Sequence, residues 1–350
     1  MSVEGAEVGN DQSKAVDLVF QGGGIKGIGL VGAYKALEKA GYQPEIMAGA
    51  SAGAIVAALV AAGYSADELY EIMGNLDFNQ FKDEAWEDRI PFLPWTSSLL
   101  KDQGIYEGKA FFDWIRALLN AQGIRTFKDL VRRDEFDAST FENCRFRYKL
   151  QVIVSDITQR KMLRLPCDAK ELGYAHPDNM EVALAVRMSM SIPIFFEPVT
   201  LINQYTGHEH ILVDGGMLSN FPVWIFDAGE PERPTIGLKL FEPDPTAPLI
   251  KNGREPEARR RGLLGMVKGL GPLDYFWSLV ETMMEAHDRL YVQEEDFDQR
   301  TIAIDTLGVG TTEFNLSAPR ARELYNSGYT AANNFLRESE KNVLARFVSK

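Results

Sequence analysis

The stretch VDLVFQGGGIKGIGLVGAYKALEKAGYQPEIMAGASAGAIVAALVAA, residues 16–62, decides the fold of this chain. It begins with a short apolar run that is typical of a buried strand, passes through a glycine-rich loop, and becomes a helical pattern closed by Gly41. A second strand then leads through a loop of small residues into an Ala- and Val-rich helix that ends at Gly63. Strand, loop and helix thus occur twice in succession, which predicts a parallel α/β unit with right-handed connections.

The first loop has the sequence GGGIKG over residues 22–27, with the glycine spacing of a dinucleotide-binding turn. A dinucleotide site also needs an acidic residue about 20 positions later, at the end of the second strand, to bind the ribose. The nearest acid, Glu45, is instead at the start of that strand. We therefore do not interpret the loop as a nucleotide site, and we expect no cofactor.

The second loop has the sequence GASAG, with Ser51 between Gly49 and Gly53 in the spacing G-x-S-x-G. A serine on a sharp turn between a strand and a helix projects its hydroxyl into the crevice at the strand ends. The neighbours must be small because such a turn is tight and its backbone is strained. The spacing therefore predicts that Ser51 is a nucleophile.

The glycine loop then gains a role that needs no cofactor. It lies at the end of the neighbouring strand, so its backbone N–H groups can face the serine and stabilise the oxyanion of a tetrahedral intermediate. We expect these donors to come from Gly22, Gly23 and Gly24. Lys26 and Gly27 complete the loop. The lysine either steers an anionic head group or is simply solvated.

A third motif, VDGG at residues 213–216, supplies a candidate base. The preceding strand brings Asp214 to its own end, and Gly215 and Gly216 turn the chain sharply. An aspartate in that place can accept the serine proton directly, which predicts a Ser–Asp dyad. Two alternatives stay open: an aspartate that only forms the turn, and a Ser–Asp–His arrangement that uses His287.

In these three motifs and in their order, the sequence resembles the patatin-like phospholipase family over most of residues 15–240. The stretch RMSMSIPIFFEPV at 187–199 also resembles the serine-rich helix end of that family. The resemblance implies an α/β fold, a three-layer sandwich with a mostly parallel central sheet. It also implies Ser51 as nucleophile and Asp214 as base. Gln21 departs from the aspartate that plant patatins usually carry before the glycines, which suggests a different branch of the family.

The same resemblance implies the activity. Members of the family hydrolyse acyl esters of phospholipids or other lipids, as phospholipase A or lysophospholipase-type esterases, and need no metal for the chemistry. The alternative from another class is a nucleotide- or partner-binding module with a silent site. The intact serine, aspartate and glycines argue against that alternative. A metal site at His208 and His210 is disfavoured because only Glu209 separates them.

Composition limits the partners. The chain of 350 residues has a net charge of −13, which argues against nucleic acid as a partner because phosphate binding needs clustered Lys and Arg. One segment, residues 259–277, joins three arginines to an apolar run. Such a segment is typical of reversible membrane contact, and we expect it to dock transiently at a membrane surface. A solvated loop before a core helix is the alternative interpretation.

We expect residues 1–14 to form a flexible N-terminus and residues 15–350 a single patatin-like α/β hydrolase domain with insertions at about 76–107 and 242–274. The N-terminus lacks the basic and apolar regions of a secretory signal, and no stretch reaches the about 20 apolar residues of a membrane span. These features predict a cytoplasmic protein that meets membranes only peripherally. Cys144 and Cys167 are accordingly expected to be free thiols in a reducing compartment.

Overall fold

The computed structural model describes residues 14–74, 76, 108–193, 196–227, 233–242, 299–310 and 316–348. Residues 1–13 of the predicted flexible N-terminus, nearly all of both predicted insertions, the 259–277 segment and His287 lie outside these ranges, whereas Lys14 already belongs to a strand. The single-domain arrangement and the membrane-docking segment therefore stay predictions. Within the described ranges, no helix combines the length and the apolar character that a membrane span requires.

The described residues contain eight strands and seven α-helices. The strands are β1 (Lys14–Phe20), β2 (Tyr42–Gly49), β3 (Leu150–Asp156), β4 (Lys161–Leu165), β5 (Val199–Ile202), β6 (Glu209–Asp214), β7 (Thr235–Phe241) and β8 (Thr301–Asp305). The helices are α1 (Gly27–Lys39), α2 (Ala52–Ala61), α3 (Ala66–Gly74), α4 (Lys109–Ala121), α5 (Phe141–Arg147), α6 (Val182–Ser189) and α7 (Ala318–Val348). The predicted succession of strand, loop and helix at the start of the chain is confirmed.

All eight strands belong to one sheet, in which hydrogen-bonded neighbours follow the order β5-β6-β3-β2-β1-β7-β8 and β4 is a further partner of β3. The five consecutive strands β3, β2, β1, β7 and β8, which end at the β8 edge of the sheet, are parallel. The strands β4 and β6 are antiparallel to β3, and β5 is antiparallel to β6. The mostly parallel α/β sheet inferred from the sequence is therefore confirmed, with an antiparallel part at one side.

The strands divide the apolar interior into two unequal cores because successive side chains point to opposite faces. Leu18 and Phe20 of β1 belong to the larger core, which the helices cover. Val19 belongs to the smaller core on the opposite face. Within the described residues, that second face is covered by the segment from Phe221 to Phe226 and by Phe146 of α5.

Two glycines, Gly32 on α1 and Gly328 on α7, allow these two helices to pack closely. A Cβ atom on Gly32 would lie 1.9 Å from the Tyr325 carbonyl oxygen, and a Cβ atom on Gly328 would lie 1.9 Å from the Gly29 carbonyl oxygen. Helices α1 and α7 thus approach each other backbone to backbone, which only glycine allows. Gly32 and Gly328 are therefore required by the packing of α1 against α7.

The expectation of two free thiols is wrong, because Cys144 and Cys167 form a disulfide with Cα atoms 5.6 Å apart. The first lies on α5, just before β3, and the second follows β4. The β3–β4 hairpin folds the chain back on itself, so residues 23 positions apart in sequence meet. The free thiols were expected from the predicted reducing compartment, in which disulfides are rare, so the bond counts against that compartment.

Candidate active site

Ser51 occupies a strained backbone conformation between β2 and α2, with φ of 53° and ψ of −132°. Left-handed φ values in residues other than glycine typically cost about 1–3 kcal/mol and persist only where the surrounding structure enforces them. The side chain is 1% exposed. This is the geometry of a nucleophile elbow, in which a serine is held at a sharp turn from strand to helix.

The two glycines that flank the elbow are required by close backbone contacts. A Cβ atom on Gly49 would lie 2.5 Å from the Gly53 carbonyl oxygen, and one on Gly53 would lie 2.1 Å from the Phe20 carbonyl oxygen. Any side chain at either position would push α2 away from the ends of β1 and β2. The spacing G-x-S-x-G is therefore a steric requirement of this turn.

Ser189, at the end of α6, fixes the elbow from the other side. The Ser51 N–H donates to Ser189 Oγ at 2.9 Å, and Ser189 Oγ donates to the Ile153 carbonyl oxygen at 2.7 Å. The Ser51 hydroxyl itself lies 3.8 Å from Met190 Sδ. Ser189 was not singled out from the sequence, where it is one of two serines in the stretch 187–199. Its importance depends on a contact across 138 residues.

Asp214 is the last residue of β6 and is 2% exposed. Its Oδ1 accepts a hydrogen bond from the Gly216 N–H at 2.7 Å, and its own N–H donates to the Ser191 carbonyl oxygen at 2.9 Å. A Cβ atom on Gly215 would lie 2.0 Å from the Ile153 carbonyl oxygen. The two glycines of the DGG motif therefore allow the turn and orient the carboxyl group.

The pairing of β3 brings the serine and the aspartate together. Gly49 of β2 pairs with Val152, and Asp214 of β6 pairs with Val154. Because β4 takes the opposite edge of β3 over Val152–Asp156, β2 and β6 must follow one another along the same edge. Their carboxyl ends face each other across two residues of β3, about 7 Å. Asp214 ends β6 at this gap, and Ser51 follows the end of β2 by two residues, so both residues lie at the gap.

Burial raises the pKa of Asp214 to about 7, while hydrogen bonding from the Ser51 side chain and the Gly216 N–H opposes the rise. Asp214 Oδ2 has no partner within the usual hydrogen-bond limits among the described residues. The serine therefore lies close enough to influence the carboxyl group without a tight bond. Enzymes without bound substrate often show such loose contacts, which tighten when substrate binds.

The glycine loop packs directly beside the elbow. A Cβ atom on Gly22 would lie 3.0 Å from Ser51 Cβ and 2.2 Å from Asn220 Oδ1. The Gly22 N–H already donates to the Asn220 carbonyl oxygen at 2.9 Å, so it is not available to an oxyanion. The expectation that all three glycines donate is narrowed to Gly23 and Gly24, whose N–H groups have no acceptor within the described residues.

The remaining residues of the loop differ in how strictly their positions require glycine. Gly24 has φ of 58°, which favours glycine, whereas Gly23 is extended. A Cβ atom on Gly27 would make only ordinary contacts, so this position is not sterically restricted to glycine. Lys26 is half-buried at the start of α1. Its role in binding a head group stays a prediction.

The three histidines in the described residues make contacts that do not involve Ser51 or Asp214. His176 Nδ1 accepts from the Asp178 N–H at 3.2 Å, and His208 lies in an exposed loop. His210 is buried against Asp156, four residues before Asp214 on β6 and about 13 Å from it along the strand. His287 lies outside the described residues, and the Ser–Asp–His alternative is therefore untested.

Comparison with known proteins agrees with this architecture. A protein-family model described as patatin-like phospholipase matches residues 18–227, which includes the glycine loop, the elbow and the DGG motif. The chain is 37% identical to the YqhO protein of Bacillus subtilis (strain 168) over 92% of this chain and 98% of that protein. It is 24% identical to a protein of Acanthamoeba polyphaga mimivirus over 91% of this chain and 92% of that protein.

The fold is also found in a solved structure. VipD from Legionella pneumophila superposes with a TM-score of 0.54 at 16% identity, over 94% of this chain and 67% of that one. At this identity the similarity concerns the fold alone. The family match covers more than half of the chain and implies lipid hydrolase activity. The chain belongs to the patatin-like phospholipase family.

Proposed function

We propose that this protein hydrolyses acyl ester bonds of phospholipids or related lipids, with Ser51 as the nucleophile and Asp214 as its general base. The observation that carries the proposal is the meeting of the carboxyl ends of β2 and β6, which brings a strained serine and a buried aspartate into one gap. The family match supports a lipid as the substrate class.

In the first half of the reaction, the Asp214 carboxylate accepts the Ser51 proton while the serine oxygen attacks the ester carbonyl carbon. The carbonyl oxygen becomes an oxyanion, and the N–H groups of Gly23 and Gly24 donate to it. The carbon–oxygen bond to the leaving alcohol then breaks, and Asp214 returns the proton to that alcohol. The products of this half are a deacylated lipid and an acyl-serine.

In the second half, a water molecule attacks the acyl-serine and Asp214 accepts a proton from it. The same N–H groups stabilise the second oxyanion. Collapse of this intermediate releases a fatty acid, and the proton returns to the Ser51 oxygen. A base with a pKa of about 7 suits both directions of transfer, because it is ionised in part at neutral pH and still basic enough to accept a proton.

Hydrolysis of two substrates by the full-length protein tests the proposal: a short soluble ester, and phosphatidylglycerol in vesicles with release of fatty acid measured. Ser51→Ala and Asp214→Asn should each lower turnover of both substrates by at least about 10³-fold. Ser139→Ala, at an exposed serine, is the matched control and should retain full activity. Retention of substantial activity in Ser51→Ala would contradict the proposal. Micromolar nucleotide binding without ester hydrolysis would favour the alternative of a binding module.

A further inference from the structure

A polar cavity of about 320 Å³ lies beside the β5–β6 hairpin, away from Ser51. Its lining includes Gln159, Lys170, Thr206, His208 and His210. None of these side chains belongs to the proposed catalytic machinery. The cavity therefore raises the question of which ligand it accepts.

His210 is built into this cavity as a fixed polar group. It is 3% exposed, and its Nδ1 lies 2.7 Å from Oδ2 of Asp156, which is fully buried. The other carboxyl oxygen of Asp156 accepts from the Gln159 N–H at 3.0 Å. Because a carboxylate only accepts hydrogen bonds, the ring hydrogen at Nδ1 points to Asp156 and leaves Nε2 for a ligand.

His210 Nε2 is buried and has no hydrogen-bond partner within the described residues. A buried polar atom without a partner is unfavourable, and such groups in native proteins usually face a ligand or an ordered water. A metal ion is disfavoured, because no group of three His, Cys, Asp or Glu side chains in the described ranges could hold one.

One lysine, Lys170, and one glutamate, Glu171, are among the residues that line the cavity. Lys170 is exposed at its rim, and the carboxylate of Glu171 is paired with Lys161. A phosphate oxygen is an acceptor, so it would bind His210 with both ring nitrogens acting as donors, Nδ1 to Asp156 and Nε2 to the phosphate. Lys170 would provide a second cationic donor to the same phosphate.

The surroundings of the cavity distinguish a lipid phosphate from a free one. Within the described residues, the exposed large hydrophobic side chains are Ile157, Ile202 and Tyr205, which are 50%, 68% and 66% exposed. Ile202 and Tyr205 flank the cavity in sequence and line a second cavity of about 390 Å³. The Ile157 N–H donates to the Ile211 carbonyl oxygen, next to His210. None of the three side chains lines the polar cavity, and Ile202 projects to the opposite sheet face from His210, because Ile202 pairs with Glu209 while Leu201 pairs with His210. They lie instead at the end of β5, in the β5–β6 turn and just after β3, beside the cavity. Exposed apolar and aromatic side chains next to a polar pocket match the interface of a membrane.

We propose that this hairpin cavity binds the phosphate of a membrane phospholipid through His210 and Lys170, while Ile157, Ile202 and Tyr205 enter the interface. It would be a docking site separate from the Ser51 crevice. The inference rests on the proposed function only in its choice of a lipid over a free phosphate. Such a docking site would attract the protein locally to a membrane although the chain has a net charge of −13.

Binding of the full-length protein to vesicles tests the site. The vesicles contain equal parts of phosphatidylglycerol and phosphatidylcholine, and all variants are made in a Ser51→Ala parent so that lipid is not consumed. Lys170→Gln should weaken binding about fivefold, while Lys128→Gln, at an exposed lysine elsewhere, should not change it. The double change Ile202→Ser and Tyr205→Ser should weaken binding by at least about tenfold. Replacing chloride by inorganic phosphate at constant ionic strength should weaken the parent but not Lys170→Gln.

Turnover of the soluble ester, measured in the wild-type background, separates this proposal from the proposed function. The Lys170 and Ile202/Tyr205 variants should keep that turnover, which shows that they fold and that their defect is one of docking. If these variants bind vesicles as the parent does, the docking site is refuted, whatever the esterase activity. If inorganic phosphate shifts the His210 imidazole resonances while vesicle binding is unchanged in the variants, the ligand is a free phosphate and the membrane proposal is wrong.

Discussion

Asp214→Asn should make the protein inactive and, at alkaline pH, more stable. The reason is that a buried aspartate whose pKa is raised from 3.8 to about 7 is costly to ionise in the folded state. Asparagine has nearly the same shape, can still accept from the Gly216 N–H, and never carries a charge. The substitution thus removes the proton acceptor and the cost of the charge together.

The pH dependence follows from proton binding. Between pH 3.8 and about 7, folded Asp214 holds a proton that the unfolded chain has lost, so the free energy of unfolding of the wild type falls as pH rises through this window. Each unit of pKa shift corresponds to about 1.4 kcal/mol, which gives a loss of about 4 kcal/mol once the folded carboxyl is ionised. The asparagine variant does not undergo this loss.

Urea denaturation of both proteins at about pH 4 and about pH 8 measures the effect. The two unfolding free energies should be similar at the lower pH, and the variant should be more stable by several kcal/mol at the higher pH. A variant that is less stable than the wild type at about pH 8 would refute this account of the Asp214 environment. A difference that does not grow with pH would do the same.

Asp214, Ser189 and the disulfide can each be tested by a further measurement. kcat/KM for a soluble ester should rise with pH and level off above about 7, because Asp214 must lose its proton to act as base; a flat profile from pH 5 to 8 would argue against it. Ser189→Ala should lower kcat about tenfold and destabilise the fold by about 1–3 kcal/mol, because the buried Ser51 N–H loses its acceptor; Ser189→Thr should restore part of both in the same assays. Replacing Cys144 and Cys167 by serine should lower the free energy of unfolding by about 3 kcal/mol, measured by urea denaturation. If the wild type and the variant still differ under reducing conditions, the difference does not come from the disulfide.

The sequence predicts those parts of the site in which the local backbone geometry restricts a position to glycine. Gly49 and Gly53 have no space for a side chain, and that restriction leaves a fixed spacing around Ser51 that is visible in the chain. The DGG motif is visible for the same reason, because Gly215 also has no space for a Cβ atom. The alternation of strands and helices is visible because the parallel sheet needs continuous apolar runs.

The remaining features depend on contacts between residues far apart in sequence. In the sequence, nothing distinguishes Ser189 from Ser191 until α6 is placed against the elbow. Nothing in the sequence shows either that the Asn220 carbonyl oxygen accepts the hydrogen bond of the Gly22 N–H. The pairing of Cys144 with Cys167 depends on how the β3–β4 hairpin returns to α5. His210 appeared only as a poor metal ligand, because its partner Asp156 lies on another strand.

The central claim is that Ser51 is an activated nucleophile, and covalent labelling tests it most directly. The full-length protein is treated with a fluorophosphonate, which reacts when a serine oxygen attacks phosphorus and fluoride leaves, and the modified peptide is identified by mass spectrometry. The account predicts one modification, on Ser51, that is absent in Ser51→Ala and strongly slowed in Asp214→Asn. Labelling of a different serine, or labelling of Ser51 at the same rate in Asp214→Asn, would contradict it.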